Sequence, residues 1–199
     1  EILCIASSIL LSLPLVFIPI QILWLNLVTD TFPALALSND TADRSLMMQK
    51  PYAAKKEIIR GVISYAAVAG FFGYIVTFST FLFALFVMNV DEVYARTMSF
   101  SAMIFFELFL VFSIRLEENA FRTNLFSNKF LNLAVLFAFT LQILAIYQPF
   151  FQSFLQTTSL HLTDLFWVLL WSSGGFFFME IYKKIKSMIF NNHLAANKY

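Results

Sequence analysis

Charged residues are scarce in this sequence, which excludes an ordinary soluble domain. Asp, Glu, Lys and Arg make up only 13% of the 199 residues, against roughly 25% in a typical soluble protein. Hydrophobic residues account for 60%, and Phe alone occurs 26 times. A globule of this length has too little interior to hide so many apolar side chains, so we expect the lipid bilayer to surround much of the chain.

Cysteine and histidine are nearly absent as well. The single cysteine, Cys4, lies in an apolar run, which excludes a disulfide framework and a cysteine-rich metal site. The two histidines, His161 and His193, fall in a predicted loop and in the C-terminal tail, so neither is a candidate metal ligand. The net charge of +1 gives no indication of a nucleic-acid partner, and none is expected.

Long apolar segments dominate what remains. A helix needs about 20 mostly apolar residues to cross a bilayer, and the sequence predicts an all-α, polytopic bundle of about six transmembrane helices. Their expected positions are 1–17, 19–37, 61–88, 97–114, 130–147 and 162–181. The first is short, begins at Glu1 and lacks the cleavage site of a signal peptide. We interpret it as a helix cut in the middle and expect the chain to be a piece of a larger protein.

The basic residues predict the orientation of these helices. Twelve of the thirteen Lys and Arg residues fall in three segments, 38–60, 115–129 and 183–199. Lys and Arg near helix ends are retained on the cytoplasmic side of a membrane. The two loops and the tail are therefore predicted to be cytoplasmic, whereas the sequence does not indicate which membrane holds the chain.

Three carboxylates, Glu1, Asp30 and Glu107, fall inside apolar helices. An ionisable group at the centre of a bilayer costs about 3 kcal/mol or more, so it is expected to serve ion binding or proton transfer, or to form a buried pair. No predicted helix interior contains a Lys or Arg, which favours cation binding. Glu180 is different, because Lys183 and Lys184 follow three and four residues later, and we expect a solvated ion pair near the cytoplasmic surface.

The second predicted helix carries a group of oxygen-bearing side chains. Asn26, Thr29 and Asp30 are spaced i, i+3 and i+4, which places them on one face of an α-helix. Oxygen ligands suit Ca²⁺, Na⁺ or K⁺ better than zinc or copper. Pro33 cannot donate to the carbonyl of Thr29, so a kink or unwinding is expected there, leaving that carbonyl free to coordinate. Hydrogen bonding across helices remains an alternative role for Asn26 and Thr29.

Further features have structural interpretations. The small residues at 172–175 predict a close helix-packing surface, and Asp164 is expected at the start of the last helix. The many Phe residues are expected mainly to face lipid.

One motif carries a resemblance to a known family. The run PIQILWLNLVTDTFPALAL, from Pro19 to Leu37, closely resembles the sixth membrane helix of P-type cation pumps, in particular the sarcoplasmic-reticulum-like calcium ATPases and their bacterial relatives. The resemblance continues through 43–51, 96–100 and 125–131. It implies that the chain is the C-terminal membrane region of such a pump, from within the fifth helix to the tenth helix and tail.

The resemblance also implies a site and a cargo. Carried over position by position, the cation ligands would be Glu1, Asn26, Thr29, Asp30 and Glu107. The implied cargo is Ca²⁺, up to two ions per cycle. A loop containing Asp40 and Asp43 is a candidate for coupling to the phosphorylation domain, although a solvated polar turn is an equal alternative.

The remaining parts of such a pump are not in this sequence. ATP and Mg²⁺ would act only through the N-terminal remainder, namely its other membrane helices and its phosphorylation, nucleotide-binding and actuator domains. The family's phosphorylated-aspartate motif is absent, so we expect no ATP hydrolysis by this chain alone. The family's double proline followed by Arg is replaced by Lys50, Pro51 and Tyr52. Two alternatives stay open: a secondary antiporter or channel that works without ATP, and a non-catalytic membrane subunit or fragment.

Overall fold

A computed structural model of the chain describes residues 1–38, 55–115 and 128–196. Over these residues it contains helices and no β-strand. Five helical segments in this part are long and apolar enough to cross a membrane, which confirms the predicted all-α, polytopic class. The proposed coupling residues Asp40 and Asp43, and most of the two basic loops, lie outside the described residues.

The first helix is shorter than the predicted 1–17. Helix α1 spans Ile2–Leu10, and the chain then stays non-helical as far as Ile18. Ser12 adopts a positive φ of 54°, which residues other than Gly seldom do, and Pro14 lacks a backbone donor to continue the helix. Arg96 donates from Nε to the Leu15 carbonyl at 3.1 Å, so a carbonyl freed by this break is satisfied from another helix.

The second span is continuous but changes its hydrogen-bonding pattern. Helix α2, Pro19–Leu25, leads into a π-helical segment, Asn26–Thr31, and then into α3, Phe32–Ser38. The altered pattern falls just before Pro33, which cannot donate to the carbonyl four residues earlier. The helix therefore widens to i→i+5 bonding here. Of the two outcomes predicted from the sequence, a kink or unwinding, the unwinding does not occur.

Five further helices follow in the described residues. They are α4, Lys55–Leu82, extended by a π-helical segment, Phe83–Val87; α5, Glu92–Arg115; α6, Lys129–Tyr147; the short α7, Pro149–Leu155; and α8, Leu162–Ala196. Four overlap predicted spans, whereas α7 lies in a segment that was predicted to be a loop.

Three predicted helix ends were wrong. Helix α4 begins at Lys55, six residues before the predicted 61. Helix α5 begins five residues before 97, so Arg96 is helical and pairs with Glu92 one turn away, a spacing that supports a helix. Helix α8 continues well past 181, and most of the predicted tail, 183–199, is helical. There Lys183 pairs with Glu180 at the i, i+3 spacing.

Helix α5 is the centre of the bundle and contacts α4, α6 and α8. In its apolar stretch 72% of the residues are buried, against 28% to 39% in the four other spans. Its buried hydroxyls are satisfied locally: Ser99 and Ser101 each donate to the carbonyl four residues earlier, at 2.9 and 2.8 Å. Gln142 on α6 donates to Ser101 Oγ at 3.1 Å. Polar groups inside the bundle thus tie neighbouring helices together.

Glycines let α4 and α8 approach α5 closely. The ring of Phe106 lies between Gly73 and Gly175, where added Cβ atoms would come within 2.9 and 2.1 Å of it. Ser172 also faces α5 and donates to the Ala102 carbonyl at 3.0 Å. The predicted packing surface at 172–175 is confirmed for Ser172 and Gly175, whereas Gly174 has open space around it.

The Phe residues are divided between the surface and the core. Several face outward, such as Phe83, Phe130 and Phe166, as expected for a lipid-facing exterior. The expectation was incomplete, because the most deeply buried large side chains include Phe17, Phe81, Phe100, Phe105 and Phe106.

Candidate cation-binding site

The centre of the candidate site is a contact between the π-helical segment and α5. Thr29 is 3% exposed, and its Oγ1 lies 2.5 Å from Oε2 of Glu107. The same hydroxyl lies 2.8 Å from the Leu25 carbonyl. A hydroxyl has one hydrogen, so Thr29 donates to one of these oxygens at a time.

Asn26 and Asp30 do not share the buried face with Thr29. Both are exposed on the surface of the described bundle. An α-helix would align the three side chains, but the i→i+5 pattern over Asn26–Thr31 widens the turn and changes their relative directions. Thr29 therefore points towards α5, while Asn26 and Asp30 present an amide and a carboxylate outward.

The three predicted acidic ligands are electrostatic neighbours. Glu1, at the start of α1, is half-buried, and its charge acts on Glu107, as does that of Asp30. Within the described part of the chain, no three His, Cys, Asp or Glu side chains converge closely enough to hold a metal ion. A cation here would need hydroxyl, amide or carbonyl oxygens in addition to the carboxylates, which is the usual mixture for hard cations.

The sequence did not indicate how α2 is fixed beside this site. Gln21 is fully buried, and its Nε2 donates to the Leu155 carbonyl at 3.0 Å. Its Oε1 accepts from the Ile18 backbone N–H at 3.3 Å. A glutamine so near the start of an apolar helix was the available signal, because buried amides in membranes usually bond across helices.

The expected solvated pair of Glu180 and Lys183 is instead buried. Glu180 is 3% exposed and accepts from Lys183 Nζ at 3.0 Å and from Ser113 Oγ at 2.7 Å. Lys183 also donates to the Ser113 carbonyl. Because α8 packs along α5, the face that carries this pair turns into the bundle. Ser113 follows Glu107 by six residues, about 9 Å along the helix axis, so this cluster is separate from the Thr29 contact.

Asp164 lies where the sequence predicted it, in the first turn of α8. Its Oδ2 accepts a hydrogen bond from the Tyr94 hydroxyl, which in turn accepts from the His161 backbone N–H at 3.0 Å. The start of α8 is thereby tied to the start of α5.

Comparison with known proteins supports the motif resemblance. A family model described as "Cation transporting ATPase, C-terminus" matches residues 14–185. A calcium-transporting ATPase of Bacillus subtilis is 35% identical over 161 residues, covering 80% of this chain and 18% of that protein. Calcium-transporting ATPase 1 of Saccharomyces cerevisiae is 30% identical, covering 90% of this chain and 19% of its own length. Human calcium-transporting ATPase type 2C member 1 is 31% identical, and the match covers 92% of this chain and 20% of that protein.

The chain spans about a fifth of the length of these curated relatives. Together with its five apolar helices, the matches identify it as an integral, multi-pass membrane protein. The predicted resemblance to P-type cation pumps is confirmed: the chain belongs to the family formed by the C-terminal membrane region of cation-transporting ATPases.

Proposed function

We propose that this chain is the cation-binding and translocating membrane half of an ATP-driven calcium pump. The observation that supports this most directly is the contact between Thr29 and Glu107, because it joins oxygen ligands of two helices inside an apolar bundle. The names of the relatives, calcium-transporting ATPases from bacteria, yeast and human, favour Ca²⁺ as the cargo.

The chemistry of the proposed ligands suits that cargo. Glu1, Asn26, Thr29, Asp30 and Glu107 offer carboxylate, amide and hydroxyl oxygens, which hard cations such as Ca²⁺ prefer. Carboxylates that repel one another in a medium of low dielectric constant are stabilised when a divalent cation enters between them. In this proposal up to two ions bind, with Glu107 contacting one of them.

The outward direction of Asn26 and Asp30 indicates where the rest of the site would lie. Both side chains are exposed in the described bundle, yet exposure of a carboxylate to lipid would be costly. We infer that membrane helices of the N-terminal remainder cover this face in the complete pump and add ligands to it. The cation is then enclosed between the two parts.

Energy would reach this site from outside the membrane. We infer that ATP and Mg²⁺ act through phosphorylation, nucleotide-binding and actuator domains in the N-terminal remainder. The basic segments 38–60, 115–129 and 183–199 would face those domains on the cytoplasmic side. In this proposal the loop with Asp40 and Asp43 signals to the phosphorylation domain whether the site holds a cation.

The test is ATP-driven calcium uptake by the full-length protein in sealed vesicles. We expect uptake that requires ATP and is lost in Asp30→Asn, because the isosteric amide removes a negative charge from a hard-cation site. Asp91→Asn is the matched control, since Asp91 is an exposed acid in the connection before α5 and should leave uptake unchanged. Uptake that needs only an ion gradient would instead identify an antiporter or channel.

A further inference from the structure

A groove lies at the end of the bundle where α4 ends and α8 begins. It forms a cavity of about 620 Å³, within the range of about 300–1,000 Å³ that is usual for small-molecule sites. It is lined by one face of α8, by Met98 of α5 and by the end of α4, which contributes Ser79. The α8 wall is formed by Asp164, Trp167, Val168 and Trp171.

The α8 residues that line the groove are arranged along one face of the helix, with the charged Asp164 at its mouth, next to the start of α8, and Trp171 at its deep end. Positions 164, 167, 168 and 171 follow the i, i+3, i+4, i+7 pattern of one helix face. Seven residues of α-helix rise about 10 Å, so the groove runs about that far along α8 from the helix start. At its deep end Trp171 Nε1 donates to Ser79 Oγ at 3.1 Å, which joins α8 to α4.

Charge at the mouth is of one sign. Asp164 is the one ionisable side chain among the described residues that line the groove. The Tyr94 hydroxyl donates a hydrogen bond to Oδ2 of Asp164, whereas Oδ1 has no hydrogen-bond partner within the described part of the chain. The carboxylate is therefore fixed in direction and keeps one oxygen for a ligand.

One tryptophan, Trp167, lies next to this carboxylate on α8, and a second, Trp171, lies at the far end of the groove. Trp167 is 62% exposed and Trp171 is 53% exposed, and Trp167 is one helical turn from Asp164. The face of a Trp ring attracts cations, and it is the side chain best suited to ammonium groups. A carboxylate beside an accessible Trp is thus a pair of groups that favours a cationic ligand over an anionic one.

We propose that this groove binds one phospholipid with an ammonium headgroup. The ammonium group lies between Asp164 and Trp167, and one acyl chain follows Val168 and Met98 towards Trp171. The length of about 10 Å fits part of an acyl chain. An anionic headgroup without an amine would meet only repulsion from the carboxylate. This site goes beyond the proposed transport function and does not depend on it.

The experiment is photo-crosslinking of the full-length protein in vesicles that contain a trace of lipid with a diazirine in its acyl chain. The probes are phosphatidylethanolamine and phosphatidylglycerol with identical chains. We expect phosphatidylethanolamine to label peptides of α8 and the end of α4 about three- to tenfold more than phosphatidylglycerol. In Asp164→Asn the preference for phosphatidylethanolamine should fall to the small part that Trp167 alone supplies.

Two further variants separate recognition from folding. Asp91→Asn removes an exposed acid outside the groove and should keep the preference for phosphatidylethanolamine. Trp167→Leu keeps the carboxylate and an apolar wall but removes the ring, so the preference should fall without disappearing. Equal labelling of the wild type by both probes would overturn the proposal, as would a preference that is undiminished in Asp164→Asn.

Discussion

The ring of Phe106 lies against Gly175 so closely that a Cβ atom there would come within 2.1 Å of it. Phe106 belongs to α5 and Gly175 to α8, and Gly73 of α4 lies on another side of the same ring. Because Phe106 directly precedes Glu107, this packing restrains the rotation of α5 that directs Glu107 towards Thr29.

Gly175→Ala should therefore destabilise the protein. The added methyl group forces α8 or the Phe106 ring to move, and overpacking of this kind costs about 1–3 kcal/mol. Thermal unfolding in detergent should show a clear fall in the midpoint temperature. Gly174→Ala is the matched control, because nothing lies within 4 Å of a Cβ at that position. Equal effects of the two substitutions would contradict the packing argument.

Glu107→Gln should weaken calcium activation of the complete pump. Gln keeps the shape of a neutral Glu and still accepts a hydrogen bond from Thr29, but it removes the charge that a hard cation needs. We expect an apparent affinity for calcium about tenfold lower, equivalent to about 1.4 kcal/mol, and a smaller Hill coefficient, measured by calcium-dependent ATP hydrolysis. A calcium dependence identical to wild type would remove Glu107 from the site.

Thr29 offers a paired test of the same contact. Thr29→Val removes the hydroxyl that lies 2.5 Å from Glu107 Oε2, whereas Thr29→Ser keeps it. Leaving a buried polar group without its partner costs about 1–3 kcal/mol. The Val variant should lose both thermal stability and calcium affinity, and the Ser variant should retain most of each. If both variants behaved alike, the hydroxyl would have no part in the site.

Lys183→Met should destabilise the bundle far more than Lys184→Met. Glu180 and Lys183 have side chains only 2% and 12% exposed, and removing one partner of a buried ion pair costs about 3–5 kcal/mol. Lys184 is exposed, and an ion pair or hydrogen bond of an exposed lysine contributes only about 0.2–1 kcal/mol. Thermal unfolding of the two variants compares them directly. The double variant Glu180→Gln/Lys183→Met should recover part of the loss, because no buried charge is left alone.

Cysteine labelling tests the orientation of the helices. With an impermeant reagent applied to intact cells, Ser159→Cys should react, while Asn119→Cys and Asn192→Cys should react only after permeabilisation. The reason is the concentration of Lys and Arg in the segments that hold Asn119 and Asn192. Cys4 is fully buried and should add little background. Labelling of Asn192→Cys from outside would reverse the proposed orientation.

The sequence by itself determined the class of structure, because apolar segments of membrane-spanning length leave helices as the solution in which backbone polar groups are satisfied. It also determined the family, through the motif from Pro19 to Leu37. The candidate acids could be named too, since a carboxylate in an apolar segment stands out in any sequence. Such signals depend on composition along one segment and need no knowledge of neighbouring helices.

Tertiary packing decided which of these side chains meet. Thr29 and Glu107 are 78 positions apart, and their contact depends on how α5 is rotated and on the widened turn before Pro33. Glu180 was expected in solvent because its own segment looks like a helix end, yet packing of α8 against α5 buries it. Periodicity in the sequence predicts the faces of a single helix. The helix that packs against each face is decided by close packing across the bundle, as where the Phe106 ring lies between Gly73 and Gly175.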